Sequence, residues 1–429
     1  MLVGSAVRRV AIVGGIRIPF ARAHGAYAGA GNQEMLTAAF RGIVERYKLQ
    51  GARLGDALAG AVIKHSKDYN LVRESVLGSG LDPQTPGADL QRACGTGLEA
   101  AIDIGNKIAL GQIEVGLAGG VDTISDPPIV YPKSYQQLLL KSYRARSFGE
   151  RVGPFLGLRP KHFKPVMPGV IEPRTGLSMG QHCEQMVKTW KISREAQDQL
   201  AYDSHIKAAA AWQDGFYSDL VVDYLGLKQD NNVRPDTTRE KLGKLKPSFD
   251  FTGAGTLTAG NSTPLTDGAS AVLLATDEWA KKRNLPVLAH LAFGKVWAVD
   301  YVTGKEGLLM APAYAVSAML KDAGITLQDF DYYEIHEAFA GQVLCTLKAW
   351  ETPDYCKERL GLPGPLGSID RAKLNVKGGS VAIGHPFAAT GTRIVASLAK
   401  LIANDSNAKR GLISVCTAGG MGVTAIVER

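Results

Sequence analysis

Two cysteines and two histidines stand out in this 429-residue chain, three of them beside glycine or another small residue: Cys94 in QRACGTGLEAA, His385 in AIGHPFAATG and Cys416 in SVCTAGGMGV, with His336 in YEIHEAFAG the fourth. Cys94 precedes a run with helical spacing, where unpaired backbone N–H groups and the helix dipole favour a thiolate. Its small neighbours Ala93, Gly95 and Gly97 predict room for a substrate to approach the sulfur. His385 sits in a turn fixed by Gly384 and Pro386, and an imidazole beside a thiol can take its proton and create the nucleophile. His336, at a strand end next to Glu337, can donate a hydrogen bond to a developing oxyanion. Cys416 lies on a strand that runs into a glycine-rich turn. Taken singly, each has a plainer reading: Cys94 as an inert packed thiol, His385 as a turn histidine bonded to backbone, His336 as a packed or surface ring, Cys416 as a small hydrophobe. The combination is what points to chemistry. Two other motifs fail on spacing. HEAFA is not H-E-x-x-H, and Gly379 and Gly384 have a phosphate-loop gap but are followed by His-Pro where Lys-Ser/Thr is needed.

The elements that must position these residues alternate between strand and helix. RVAIVGG (9–15) reads as a strand, NQEMLTAAFRGIVERY as a helix and DALAGAVI as a strand. After Cys94, Leu98, Ala101, Ile102, Gly105, Ile108 and Ala109 fall on one helical face. EVGLAGGVD (114–122) reads as a buried strand. The second half repeats the order: DYYEIHEAFA is a strand end running into a helix, and His385 precedes a helix whose apolar positions include Ile394, Leu398, Leu401 and Ile402. GLISVCTAGGMG and VTAIVE are strands. Cys94 and His385 thus hold equivalent places ahead of matching helices, which predicts two copies of one α/β unit with the chemistry where they meet. Between the copies lies an excursion from about 125 to 250, with a helix capped near Ser193. The core resumes at GTLTAGNSTPLTDGASAVLLAT.

Composition sets the outer bounds. A chain of this length holds two or three domains, and 45% hydrophobic with 21% charged residues is the balance of a soluble globular protein. No apolar run is long enough to span a membrane, and MLVGSAVRRVAIVGG lacks the order of a signal peptide. The five cysteines are widely spaced without C-x-x-C pairs, which argues against a disulfide framework and a zinc site and for a reducing cytoplasm. The net charge is +8, and nine Lys or Arg against two Glu between Pro132 and Arg174 concentrate +7 in one segment. Aromatics there are few and no nucleic-acid signature appears, so the segment predicts a small anion, an acidic subunit or a lipid surface rather than nucleic acid.

The motifs together resemble the thiolase superfamily, from about residue 8 onward. RIPFAR resembles the family's Arg-Thr-Pro-Phe stretch, with Ile18 in place of threonine. CGTGLEA is similar to its nucleophile loop. GTLTAGNSTPLTDGA (255–269) follows its Thr-Ala-Gly-Asn stretch, and GGSVAIGHPFAATG and CTAGGMG its histidine and second-cysteine motifs. The usual Asn-Glu-Ala-Phe is here His-Glu-Ala-Phe, with His336 in the asparagine's place. That variant, LSMGQHCEQM and the long basic excursion resemble the β-subunits of fatty-acid β-oxidation multienzyme complexes, the trifunctional type. Ala418 stands where many members have glycine, and Pro264 replaces a common glycine in the coenzyme A loop.

The resemblance implies an α/β thiolase fold: two repeated βαβαβ-type halves forming a layered α/β/α/β/α sandwich with an inserted loop domain. The expected domains are 1–124, completed by 252–277, then a loop domain 125–251 with a docking segment 132–174, and a second half 278–429. It implies a 3-oxoacyl-CoA thiolase with Cys94, His336, His385 and Cys416 catalytic and the backbone N–H groups of Cys94 and Ala418 as an oxyanion hole. Arg234 and Phe249 would meet the nucleotide, Thr263 the pantetheine, and Met179 and Phe339 the acyl end. Coenzyme A is a substrate, with no permanent cofactor and no metal. A homodimer or homotetramer is expected, and the docking segment implies a hydratase/dehydrogenase α-subunit, a peripheral membrane contact, or a solvated loop near the coenzyme. The alternatives are an acetyl-CoA C-acetyltransferase working in the condensing direction, a ketosynthase-like condensing enzyme and a non-catalytic acyl-CoA-binding subunit.

Overall fold

The computed structural model describes residues 7–166 and 169–429. The expected first domain also includes residues 1–6, which lie outside the described residues. Ten strands are seen: β1 (Ala11–Arg17), β2 (Ala21–Arg22), β3 (Asp56–Ala59), β4 (Ala88–Asp89), β5 (Val115–Asp122), β6 (Thr266–Ala275), β7 (Ala289–Ala298), β8 (Tyr332–Ile335), β9 (Arg410–Thr417) and β10 (Met421–Glu428). They form one path, β4-β3-β5-β6-β1-β7-β10-β9-β8, with β2 paired to β6 at the side. The two halves of this path join only through β1 and β7, where Ala11 faces His290 and Ile12 faces Ala289.

Side-chain alternation along the strands explains the layering. On β6, Val272 and Leu274 enter a central core, whereas Ala271, Leu273 and Ala275 enter an outer one. On β10, Val423, Ala425 and Val427 face the same central core, while Ile426 faces a third. The central core is filled by two helices, Thr96–Ala109 and Thr390–Asn404, which supply Leu98, Ile104 and Ile108, and Ile394, Leu398 and Ile402. Each Leu or Ile so buried contributes roughly 1.5–3 kcal/mol. Helices Asn32–Arg46 and Leu71–Ser79 cover the outer face of the first half, and Ala311–Ala323 and Ala340–Glu351 cover that of the second. The result is the α/β/α/β/α sandwich expected.

Glycine sets how closely the two central helices cross. A Cβ at Gly391 would lie 2.2 Å from the Leu98 nitrogen, and one at Gly97 would lie 2.6 Å from the Ala388 oxygen. These contacts bring the start of the Thr96 helix against the start of the Thr390 helix, and with them the residues just upstream.

The excursion leaves the core after β5 and returns before β6. Its helix Arg194–Gln213 begins at Ser193, whose hydroxyl accepts from the Ala196 N–H. A buried ion pair fastens it to β1: Arg17 donates to both carboxylate oxygens of Asp230, at 2.6 and 2.7 Å. The Phe20 N–H donates to the same carboxylate. A helix over Lys133–Arg144 projects from the excursion with only Ser142 buried, and Tyr143 is 86% exposed.

Candidate active site

Cys94 lies in the loop between β4 and the Thr96–Ala109 helix, one residue before the Gly95 cap. Ala93, directly before it, has φ 45, a left-handed conformation that a residue with a Cβ adopts at a cost. The Thr96 hydroxyl holds the loop by donating to the Ala93 carbonyl and accepting from the Arg92 N–H. The small neighbours serve a different purpose from the one expected. A Cβ at Gly95 would meet Val423 and Thr417, and Gly97 faces Ala388 and Thr392. These glycines admit protein, not substrate, and seat the loop against β10 and the His385 turn.

The Cys94 thiol is not resting as a thiolate, as its place ahead of a helix had suggested. Burial pushes it up to about 12, and the carboxylates of Asp122 and Glu172 push the same way. The backbone N–H groups of Ala418 and of Cys94 itself pull in the opposite direction. Cys416, on β9, is also driven well above the ordinary thiol value, first by burial and then by the nearby Cys94. The backbone N–H groups of Cys416 itself and of Ala338, two residues past His336, pull it the other way.

His336 continues the pairing of β8 with β9, its N–H donating to the Ser414 carbonyl at 2.8 Å. Its ring lies 4.1 Å, centroid to centroid, from that of His385. His385 is held by the Thr266 hydroxyl, which accepts its N–H, and by Gly384, whose φ of 109 suits glycine at that bend. Nδ1 of His336 meets the Ser380 hydroxyl at 2.9 Å, and Nδ1 of His385 meets that of Thr390 at 2.6 Å. Nε2 of each ring is buried without a hydrogen-bond partner. Burial, helped by the charge of Arg393, pulls His385 down to about 3; burial, His385 and Arg393 pull His336 well below its ordinary value. Both rings are therefore neutral near pH 7.

The four residues singled out in the sequence thus form one connected cluster, from His385 through His336 and Ala338 to Cys416, Cys94 and Ala418. Glu337 turns away from it. Its carboxylate accepts from Ser204, Asn375 and the Val381 N–H, and so ties the long excursion helix to the core. The five cysteines are free. Among the described residues, no group of three or more His, Cys, Asp or Glu is placed to hold a metal ion.

The residues expected to bind coenzyme A fall into two groups. Arg234 lines a cavity of about 350 Å³ with Arg22, His205, Lys241 and Pro264. Phe249 stands apart from that cavity: it packs against Gly180 and crosses the Phe339 ring at 5.7 Å, in a cluster that includes Met179. The Thr263 hydroxyl donates to the Ser380 carbonyl at 3.0 Å.

Sequence reasoning passed over several residues that shape this site. Ser380, Thr390 and Arg393 surround the histidines, and Glu172 accepts the Gly419 N–H and the Tyr301 hydroxyl, each at 2.8 Å. Asp122 accepts N–H groups of Val62, Ile63 and Ala388.

A five-layered sandwich with paired thiols and histidines at its joint defines the thiolase class. Residues 10–278 match the family model "Thiolase, N-terminal domain", and residues 288–429 match "Thiolase, C-terminal domain". The chain belongs to the thiolase family and is an acyltransferase. It is 39% identical over 426 residues to a 3-ketoacyl-CoA thiolase of Pectobacterium carotovorum subsp. carotovorum (strain PC1), an alignment that covers 98% of this chain and 96% of the relative. A 3-ketoacyl-CoA thiolase of Shewanella sp. (strain W3-18-1) is equally similar, with 97% of the relative covered. Among solved structures, the Bacillus anthracis acetyl-CoA acetyltransferase superposes with a TM-score of 0.81 at 29% identity over 99% of each chain.

Proposed function

We propose that the protein is a 3-oxoacyl-CoA thiolase, cleaving a 3-oxoacyl-CoA with coenzyme A into acetyl-CoA and a shortened acyl-CoA. The observation that carries this is a pair of neighbouring thiols, Cys94 and Cys416, with two adjoining neutral imidazoles whose Nε2 atoms have no hydrogen-bond partner. Neutral His385 takes the proton of Cys94, and the thiolate attacks the keto carbon of the substrate. The two N–H groups hold the tetrahedral oxyanion. The C–C bond then breaks, leaving an acyl group on Cys94 and the enolate of acetyl-CoA. His336 and the now protonated His385 hydrogen-bond the enolate oxygen. Cys416 protonates the enolate carbon, then takes the proton of incoming coenzyme A, whose thiolate removes the acyl group. Cys94 leaves as thiolate and recovers its proton from His385.

The basic wall formed by Arg22, Arg234 and Lys241 suits the phosphates of coenzyme A. Met179 and Phe339 offer an apolar surface for the acyl end. Phe249, expected at the nucleotide, is read with them because it packs against Phe339, and Thr263 is read as the pantetheine contact. Coenzyme A is a substrate in this reading, and no permanent cofactor takes part. The division into 1–124 with 252–277, 125–251 and 278–429 fits the departure of the excursion after β5 and its return before β6. The basic, apolar Lys133–Arg144 helix supports docking of a hydratase/dehydrogenase α-subunit or a peripheral membrane contact, with the enzyme itself a cytoplasmic homodimer or homotetramer. No helix among the described residues is long and apolar enough to cross a membrane.

The test is intact-mass spectrometry after mixing with a 3-oxoacyl-CoA: an acyl adduct on Cys94 is expected, and its absence would return the chain to a non-catalytic acyl-CoA-binding role. Cys416→Ser should nearly abolish thiolysis; retained full activity would remove the shuttle. The likeness to an acetyl-CoA acetyltransferase favours one second reading, the condensing direction. Thiolysis rates across chain lengths from four carbons upward separate the two, since an acetyltransferase works only on the shortest.

A further inference from the structure

We propose that Ser380 and Thr390 hold His336 and His385 in opposite tautomers, so that His336 presents an Nε2–H donor and His385 a bare Nε2 acceptor. The inference deepens the thiolase reading above and rests on it for its catalytic meaning.

Ser380 is fully buried, and its Oγ has two side-chain neighbours: Arg393 Nη2 at 2.9 Å and His336 Nδ1 at 2.9 Å. A guanidinium can only donate, so Arg393 occupies a lone pair of the hydroxyl. The hydroxyl proton then needs an acceptor. Among the described residues the one within reach is His336 Nδ1. Either tautomer leaves one proton unpaired in the free protein, the serine's or the ring's at Nε2, and the Arg393 cation breaks the tie. It sits on the same hydroxyl as Nδ1, so it favours a lone pair at that nitrogen and the proton at the far one. The neutral ring therefore carries its proton on Nε2.

The partner of His385 reverses the logic. Thr390 Oγ1 lies 2.6 Å from His385 Nδ1 and 3.3 Å from the Pro386 carbonyl oxygen. A carbonyl only accepts, so the threonine proton goes to it, and Nδ1–H of the ring donates to the hydroxyl. The opposite assignment makes one bond where two are available. His385 is left with a lone pair on Nε2.

Two rings 4.1 Å apart thus have different work. His385 can receive the Cys94 proton at once, without first losing one. His336 can donate to an oxyanion at once, without first gaining one. Ser380, Thr390 and Arg393 act through the rings and are positioning residues, Arg393 by fixing which way the serine hydroxyl points.

The test is nitrogen NMR of the full-length protein with ¹⁵N-labelled histidine at neutral pH, the two rings assigned by His336→Asn and His385→Asn. The expected spectrum shows one neutral ring protonated at Nε2, His336, and one at Nδ1, His385. In Ser380→Ala the His336 ring is expected to shift toward the Nδ1–H form while His385 is unchanged, and Ser380→Thr restores the original pattern. Thiolysis by Ser380→Ala should lose at least about tenfold in kcat with little change in KM, with rescue by Ser380→Thr. Two like tautomers in the unsubstituted protein would overturn the proposal, as would an unchanged His336 ring in Ser380→Ala. If Ser380→Ala does not fold, the spectra of the unsubstituted protein and of Ser380→Thr decide it. The spectrum needs no substrate. Opposite tautomers without an acyl adduct on Cys94 would leave this assignment standing and remove the thiolase reading; an adduct with like tautomers would do the reverse.

Discussion

Burial and the carboxylates of Asp122 and Glu172 keep the proton on Cys94, so its reactivity has to come from His385 and from the N–H groups of Cys94 and Ala418. With the thiol near 12, fewer than about one molecule in ten thousand would be thiolate at pH 7.5 without a base. Removing the base should therefore expose the thiol's own titration. In His385→Ala, alkylation of Cys94 by iodoacetamide should be slower at pH 7 and rise about tenfold per pH unit toward 12. The unsubstituted enzyme should react faster at pH 7 with a shallower profile; matching profiles would show that His385 does not serve the thiol. Glu172 offers a second test. Its carboxylate holds the Gly419 N–H, one residue from the Ala418 donor. Glu172→Ala should loosen that turn and lower kcat by about tenfold or more, while coenzyme A affinity, measured by calorimetry, stays within about twofold.

The two central helices do for the site what neither half can do alone, and their crossing depends on the absence of side chains. Gly391→Ala would set a Cβ 2.2 Å from the Leu98 nitrogen, a backbone atom that cannot swing aside. We expect a loss of about 1–3 kcal/mol in urea unfolding, together with lost thiolysis as the helix starts separate. Wild-type stability in this variant would mean that the crossing is slack. The helices themselves were legible in the sequence: Leu98, Ile108, Ile394 and Leu398 recur at helical spacing and are buried. So were the two cysteines and two histidines of the site. The glycines were legible as small residues but not in their purpose, because a sequence does not say which neighbour comes close. Ser380, Thr390 and Arg393 were invisible for a related reason. Hydroxyls in the first turn of a helix and a cation within it are ordinary there, and only the three-dimensional fold turns them toward a ring. Glu172 was hidden in a segment whose net charge has the opposite sign.

At the scale of the molecule, the excursion and the sheet are bound by a few buried polar ties. Arg17 on β1 and Asp230 on the excursion form the ion pair among them, with Arg17 3% exposed. Arg17→Met leaves the Asp230 carboxylate buried without its cation and should cost about 3–5 kcal/mol in denaturant unfolding. Pairing it with Asp230→Leu should recover much of that loss, and a double variant no better than the single would show that the pair is not coupled. The strand order carries a last consequence. β10 is furthest along the chain, yet it lies between β7 and β9 and bears the turn after Cys416. A ribosome that has already extruded Cys94 has therefore delivered a sheet with a gap in its middle. The gap closes only when residues 421–428 emerge. Until then the nascent chain exposes two open strand edges, those of β7 and β9, and the turn that follows Cys416 has no strand to lead into, so a chaperone has most reason to bind just before β10 emerges.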